Sequence, residues 1–321
     1  MNLWLRDMFL LLMLAQGCLG HLVFEKEYAS VCPRASDCPD YEPPPIIEVE
    51  EPCAFVADNM LNIMTWNIEW FPKDEQRTID YVTAIIKQVN VDVLAVQELH
   101  DRDMFDRMLD SLPEYAGYYE SMWFAGLAFI YKKESIDVHG IVEIYTESPY
   151  WSAFPRSPMV MDMTAYGERY LLINNHLKCC GDGILDMQDS DDEERRRYDA
   201  MNFLAEYIEG VFFSEKVIVL GDLNDNIAEE SPHNVFQVFL DSPELYQFVD
   251  MDIAKGSIED WSFPSWPSHL DHILVSDEIF PQLEFSHTYT LKIDQYLRGG
   301  FYEYDRLISD HRPVGICLHV P

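Results

Sequence analysis

The segment Gly221-Asp222-Leu223-Asn224-Asp225 follows the apolar run Val217-Ile218-Val219-Leu220 and carries the plainest chemistry in the chain. A β-branched apolar run of that length predicts a buried strand, and the glycine lets the backbone turn sharply where it ends. Asp222 and Asn224 then stand two residues apart, so both can leave the strand end toward one site. That pairing suits a reaction in which a carboxylate orients a water and an amide holds an oxyanion. A single pair of this kind is more often a plain turn.

Recurrence favours chemistry. The apolar segment 61–66 leads to Asn67 and Glu69, segment 91–96 to Gln97 and Glu98, and segment 170–173 to Asn174, Asn175 and His176. Ser268-His269-Leu270-Asp271-His272 precedes another apolar run, and so does Ser309-Asp310-His311-Arg312-Pro313. Solvated loops do not account for amides, carboxylates and histidines at so many strand ends.

Elements must hold these residues in place. Ile79, Val82, Ile85, Ile86 and Val89 recur at helical spacing before the strand at 91–96. Strands near 127–131, 141–145, 158–165 and 169–175 come without intervening helices, which predicts antiparallel neighbours. A second helix opens in Asp191-Asp192-Glu193-Glu194, acids that favour a helix N-terminus, with Tyr198, Met201, Leu204, Ile208 and Val211 as its inner face. Within it, Arg195-Arg196-Arg197 reads as an exposed charged face. The mixture predicts two stacked sheets flanked by helices.

The blocks Thr65-Trp66-Asn67, Val96-Gln97-Glu98, Phe154-Pro155-Arg156-Ser157-Pro158, Asn175-His176, Gly221-Asp222-Leu223-Asn224, Leu270-Asp271-His272 and Ser309-Asp310-His311 occur in that order. In this the chain resembles the endonuclease/exonuclease/phosphatase superfamily, typified by deoxyribonuclease I, over residues about 60 to 320. The resemblance implies an α/β fold, a four-layer α/β/β/α sandwich of two mainly antiparallel sheets flanked by helices. It also implies hydrolysis of phosphate esters, a reaction that needs a metal, an oriented water and help for the leaving oxygen.

Glu98, at a strand end, is the best ligand for Mg²⁺, with Mn²⁺ or Ca²⁺ as alternatives, since hard divalent ions take carboxylate oxygens. Asn67 supports the metal or a phosphate oxygen, and Asp310 adds a metal-facing carboxylate. By resemblance, Asp222 positions or deprotonates the attacking water and Asn224 holds the phosphoryl group. His311 works with Asp271, which fixes the imidazole tautomer and favours its protonated form, as a base or as a positive clamp. His176 matches a second histidine of deoxyribonuclease-like members that contacts the scissile phosphate or leaving group. Arg156 matches an arginine near the substrate strand, with a surface salt bridge as the competing reading. Asn175 and Lys178 are further substrate contacts.

The chain has 22 basic and 57 acidic residues in 321, a net charge of −35, and 48% hydrophobic residues, enough for a sizeable core. Such a charge opposes long-range capture of DNA or anionic membranes. It leaves room for an enzyme whose metal and a few local cations hold one phosphate.

Arg6 and the short apolar stretch 8–15 predict an export signal over residues 1–20, either cleaved after Gly20 or of the lipoprotein type acylated at Cys18. The expected destination is outside the cytoplasm: secreted, periplasmic or lipid-anchored. Cys32, Cys38, Cys53, Cys179, Cys180 and Cys317 form an even set, read as disulfides because no CxxC pair with matching histidine spacing points to zinc. Residues 21–58 are rich in proline and acids and read as an extension, with the catalytic domain over 59–321.

For substrate, Pro264-Ser265-Trp266 resembles the phosphoinositide phosphatases, which usually carry arginine where His272 stands. Abasic-site endonucleases usually carry tyrosine where His176 stands. A monomeric deoxyribonuclease-like endonuclease acting on nucleic acid, with no obligate protein partner, is therefore the leading expectation. A sphingomyelinase-like or small-molecule or inositol phosphate phosphatase is the alternative. A catalytically silent binding protein on the same fold is the rival of another class.

Overall fold

In the computed structural model, residues 48–54, 59–121 and 123–321 are described. The expected signal at 1–20, most of the extension, and Cys18, Cys32 and Cys38 lie outside them. The described residues belong to one compact unit, Pro43–Pro321.

Twelve strands form two sheets among the described residues. They are β1 (Met60–Phe71), β2 (Val93–Leu99), β3 (Tyr115–Tyr118), β4 (Gly126–Lys132), β5 (Ile136–Glu143), β6 (Met159–Ala165), β7 (Glu168–His176), β8 (Val217–Asp222), β9 (Tyr246–Phe248), β10 (Asp271–Ser276), β11 (His287–Thr290) and β12 (Val314–His319). The first sheet runs β11-β12-β1-β2-β4-β3 and the second β5-β6-β7-β8-β10-β9. Both are mixed: β1 pairs β2 in parallel, β7 pairs β8 in parallel, and the remaining pairings are antiparallel.

Each parallel pair needs a crossover, and a helix supplies it. Helix α1 (Glu75–Val89) joins β1 to β2, and α3 (Glu193–Val211) joins β7 to β8; α2 (Arg102–Asp110) and α4 (Gly300–Leu307) also flank the first sheet. On α1 the buried residues include Ile79, Val82, Ile85, Ile86 and Val89, the stripe expected from spacing. Asp192 caps α3 by accepting from the Arg195 N–H at 2.7 Å, which satisfies one orphan donor of its first turn. The inner face of α3 carries Met201, Leu204 and Ile208 as expected, but Val211 is exposed and Ala200 and Ala205 are buried instead.

Strand alternation then builds the layers. Leu61 and Ile63 of β1, Val93 and Ala95 of β2, Leu172 of β7, Leu220 of β8 and Ile316 of β12 face inward and pack between the sheets. Met64, Trp66 and Ile68 of β1 face outward, under the helices of the first sheet. Helix, sheet, sheet and helix stack as four layers. Segment 48–54, assigned by composition to the extension, also touches this body. Val49 N–H donates to Gln88 Oε1 at 2.7 Å, and Cys53 is disulfide-bonded to Cys317 on β12.

Candidate active site

The inward face of the sandwich changes character at one rim. Following the same alternation, Leu61 and Ile63 give way to Thr65 and Asn67, and Val93 and Ala95 to Gln97. Leu172 gives way to Asn174 and His176, and Leu220 to Asp222. Asp271 stands opposite Asp222 in the β10–β8 register. All of these side chains are buried. Uncompensated, so many buried polar groups would be costly, and most of them bond one another, while His176 Nδ1 and Asp271 Oδ1 find no partner among the described residues.

A layer of amides forms the floor. Gln97 Nε2 donates to Asn174 Oδ1 at 2.7 Å, joining the two sheets, and Asn174 Nδ2 donates back to the Val96 and Ala128 carbonyls at 3.0 Å each. Above it, Asn67 Nδ2 donates to Glu98 Oε1 (3.1 Å) and to Asp222 Oδ2 (3.0 Å). Its own Oδ1 accepts from the Glu69 N–H, so Asn67 is a bridge that holds two carboxylates together.

The histidines approach Asp222 from two sides. His176 Nε2 lies 3.5 Å from Asp222 Oδ2 and 3.8 Å from Glu98 Oε1, while His311 Nε2 lies 3.8 Å from Asp222 Oδ2. His311 Nδ1 is bonded to Asp271 Oδ2 at 2.7 Å. The 309–313 loop is pinned hard: Ser309 Oγ donates to the Asn67 carbonyl, the Tyr304 hydroxyl and Trp66 Nε1 both donate to the His311 carbonyl, and Arg312 forms a two-pronged pair with Asp294. Asp310 N–H donates to Glu69 Oε2, and Glu69 is also paired with Lys73.

Charge in this rim is strongly perturbed. Burial pushes the Asp222 carboxyl up to about 6, against the lowering effect of His311 and with a raising contribution from Asp271. Burial also raises Glu69 to about 7, with Asp310 adding to it and Lys73 opposing. Asp310 is likewise raised, first by burial, with His311 opposing and Glu98 adding to the rise. Burial opposes the charged form of His311, yet Asp271 and Asp222 outweigh it and hold the imidazole well above its ordinary value. His176 goes the other way: burial, then the charges of Arg156 and His311, hold it well below, so it stays neutral.

Gly221 makes the strand end possible. Its φ is +141°, and a Cβ there would come within 2.0 Å of the Asn175 carbonyl oxygen. Asn224 follows with φ +56°, its N–H donating to Asp222 Oδ1 at 3.1 Å and its Nδ2 to the Leu177 carbonyl at 3.2 Å.

The structure therefore gathers Asn67, Glu98, His176, Asp222, Asp271, Asp310 and His311, and sets Asn224 beside Asp222. Arg156 donates from Nε to the Ala125 carbonyl at 3.0 Å and makes no ion pair among the described residues, while its charge is felt at His176. Asn175 falls on the opposite face of β7 from His176, and its Nδ2 donates to the Ile173 carbonyl at 2.8 Å. Lys178 lies past the end of β7, with Nζ 2.9 Å from the Cys179 carbonyl and 3.7 Å from Glu193.

Two expectations need correction. Cys179, read with five other cysteines as disulfide-forming, is a free and exposed thiol. Arg197 is not part of an exposed face: it is 2% exposed, pairs with Asp225 (2.8 Å) and Glu194 (3.4 Å), and donates to the Lys178 and Cys180 carbonyls. It ties the segment after β7 to the one after β8. Sequence reasoning also missed the network behind β10. There Asp250 Oδ2 takes His272 Nδ1 at 2.6 Å and His269 Nε2 at 3.1 Å, and His272 Nε2 bonds the Asp225 carbonyl at 2.8 Å. With its acceptor and donor positions filled, this trio reads as a brace for the 222–225 turn.

Oxygen donors for a hard cation are present. Glu98 and Asp310 influence one another electrostatically, and the buried Asp310 Oδ1 accepts no hydrogen bond. Among the described residues, five carboxylates (Glu69, Glu98, Asp222, Asp271 and Asp310) face only Lys73 and His311 as close cations, a local excess of negative charge that a divalent ion would offset.

A family model described as the Endonuclease/Exonuclease/phosphatase family matches residues 64–311. The chain belongs to that family. Its members are generally phosphoester hydrolases that use divalent metals. No curated protein sequence matches the chain. Among solved structures, that of D. rerio TDP2 complexed with single strand DNA product is similar at 16% identity and a TM-score of 0.60, covering 81% of this chain and 99% of that one. The human Nocturnin catalytic domain with bound sulfate anion is similar at 16% identity and 0.57, covering 81% and 94%. A family protein from Bacteroides vulgatus is similar at 16% identity and 0.56, covering 82% and 100%. At these identities the likeness is one of fold.

Proposed function

We propose that this chain is an exported, divalent-metal-dependent phosphodiesterase, a deoxyribonuclease-like endonuclease acting on nucleic acid. The observation that carries the reading is the meeting of Glu98, Asn67, Asp222, His176 and the His311–Asp271 pair within hydrogen-bonding or near-contact distance at one rim.

Glu98 and Asp310 are the residues that would hold the metal, Mg²⁺ first among candidates. When bound, the ion supplies Lewis-acid stabilisation of charge on the phosphoryl oxygens. The chain's own groups divide the remaining work. Asp222, raised to about 6, is ionised at neutral pH yet basic enough to accept a proton from an attacking water. Asn67 fixes that carboxylate from below. His311, kept charged by Asp271, faces Asp222 from 3.8 Å and acts as a positive clamp on a phosphoryl oxygen. His176 is neutral and can donate or accept a hydrogen bond at the leaving oxygen. Arg156, with no carboxylate partner among the described residues, is available to a flanking phosphate. The Cys53–Cys317 bridge and the apolar N-terminus both support an oxidising destination outside the cytoplasm.

The test is a substrate panel. Purified protein is offered plasmid DNA, RNA, sphingomyelin and inositol phosphates, each with Mg²⁺, Ca²⁺ or EDTA. Cleavage of nucleic acid that EDTA abolishes is expected. Full activity in EDTA would remove the metal from the mechanism, and turnover of lipid or inositol phosphates alone would reassign the substrate.

A further inference from the structure

Three aromatic rings stand at the surface beside the carboxylate assigned to the metal. Glu69 and Trp70 take left-handed φ values of +37° and +48°, which turns the chain away from the regular course of β1. The Trp70 backbone N–H donates to Glu98 Oε2 at 3.2 Å, while its indole is 45% exposed. Phe124 is 66% exposed, and its ring centroid lies 5.5 Å from that of Trp70. His100, also exposed, completes the group at 5.9 Å from Trp70 and 4.7 Å from Phe124. Single exposed apolar residues need no explanation, but a contiguous patch marks a contact surface.

The patch is continuous with the arginine offered above to a flanking phosphate. Ala125, the residue after Phe124, accepts from Arg156 Nε, and Arg156 in turn reaches His176 electrostatically. One short turn therefore carries an exposed ring and anchors a guanidinium that has no ion pair among the described residues. A phosphate next to an aromatic face is the repeating chemistry of a nucleotide.

We propose that Trp70, His100 and Phe124 form a base-stacking subsite for the unpaired base flanking the phosphate held in the catalytic cluster, so that single-stranded nucleic acid is preferred over duplex. This rests on the nuclease reading above. A ring can receive a base only on an open π-face, and both faces of a base inside a duplex are already stacked. Stacking also supplies affinity without cations, which suits a chain of net charge −35. A bilayer would be a poorer occupant, because the shelf is bonded directly to Glu98 and so lies against the acidic cluster.

The experiment compares the full chain with Trp70→Ala, Phe124→Ala and Phe124→Tyr. Affinity for a single-stranded oligonucleotide is measured in Mg²⁺ on an Asp222→Asn background that suppresses turnover, and kcat/KM on single strand and duplex is measured without it. Each alanine should raise Kd by at least about fivefold, and tyrosine should restore it. An abasic spacer at the flanking nucleotide should cost the parent protein a similar factor and cost Phe124→Ala nothing further. Unchanged Kd in both alanine variants, additive losses with the spacer, or preference for duplex would overturn the subsite while leaving the nuclease reading intact. Phe124-dependent binding to sphingomyelin vesicles without oligonucleotide binding would assign the shelf to lipid and overturn it. Failure of the parent protein to cleave any nucleic acid would instead overturn the nuclease reading itself.

Discussion

Replacing Asp271 by Asn tests whether His311 acts as a charged clamp. The substitution keeps the shape of the side chain but removes a charge 2.7 Å from His311 Nδ1 in a site where both residues are buried. At an effective dielectric of ~20, two unit charges at that distance attract by ~6 kcal/mol before desolvation is counted. Burial already opposes the charged imidazole, and Asp271 is the largest of the groups that outweigh it. Without it the pKa of His311 falls. Since the clamp must be charged to act, the alkaline limb of kcat/KM, set high by the raised His311, should move toward lower pH. At pH 8 the rate should fall by about 10²–10³, the usual loss when one preorganised transition-state donor is removed. The assay is kcat/KM from pH 5 to 10 at saturating Mg²⁺, with thermal unfolding as the control for an intact fold. An alkaline limb that stays in place, or a loss below about fivefold in a folded variant, would refute the clamp and leave His311 a structural histidine.

Other outcomes follow from the same geometry. Asp222 carries a carboxyl raised from 3.8 to about 6, so the folded state holds its proton more tightly than the unfolded state. Its ionisation therefore costs stability as pH rises from about 4 through about 6, with the full cost present above. Asp222→Asn should abolish turnover yet unfold at a higher temperature at pH 7.5, by up to roughly 3 kcal/mol and less where His311 loses its partner; a less stable variant would contradict the burial argument. The Cys53–Cys317 bridge spans 264 residues and ties segment 48–54 to β12, so Cys53→Ser should cost about 2–5 kcal/mol in denaturant unfolding, and no change would remove it as a staple. Initial rates on DNA at fixed, saturating Mg²⁺ should hold or rise from low salt to about seawater strength, because few phosphates are neutralised and screening relieves repulsion by a −35 chain; a steep decline would reveal a basic groove.

Much of this site was legible because strands alternate. A position that alternation sends inward should be apolar, and Asn67, Gln97, Asn174, His176, Asp222 and Asp271 break that rule at the ends of otherwise apolar runs. The violation is the signal, since a buried polar side chain must be compensated by others of its kind. The same rule applied one residue at a time would have excluded Asn175, which shares a motif with His176 but not a face. Helix spacing was equally readable for α1, where the buried stripe is a local property of fifteen residues.

What stayed hidden was the layer that braces the catalytic groups, because its partners are distant in sequence and its residues look ordinary alone. Arg197 sits in a run of three arginines, and nothing in that run distinguishes it from the two beside it. It is buried because Asp225, 28 positions away, and two carbonyls on the segment after β7 converge on its guanidinium. His272 has the same character. Its neighbour Asp271 belongs to the catalytic pair, but His272 points to the far side of β10, where Asp250 holds it and it in turn holds the Asp225 carbonyl. Arg197 and His272 thus grip Asp225 by its side chain and its backbone, from opposite elements, one residue beyond Asn224. The turn that presents Asp222 and Asn224 is fixed by buried charge, and buried charge is worth its desolvation only where several partners converge. Such convergence is a property of the folded arrangement, so a one-dimensional reading finds the residues that act more readily than those that hold them still.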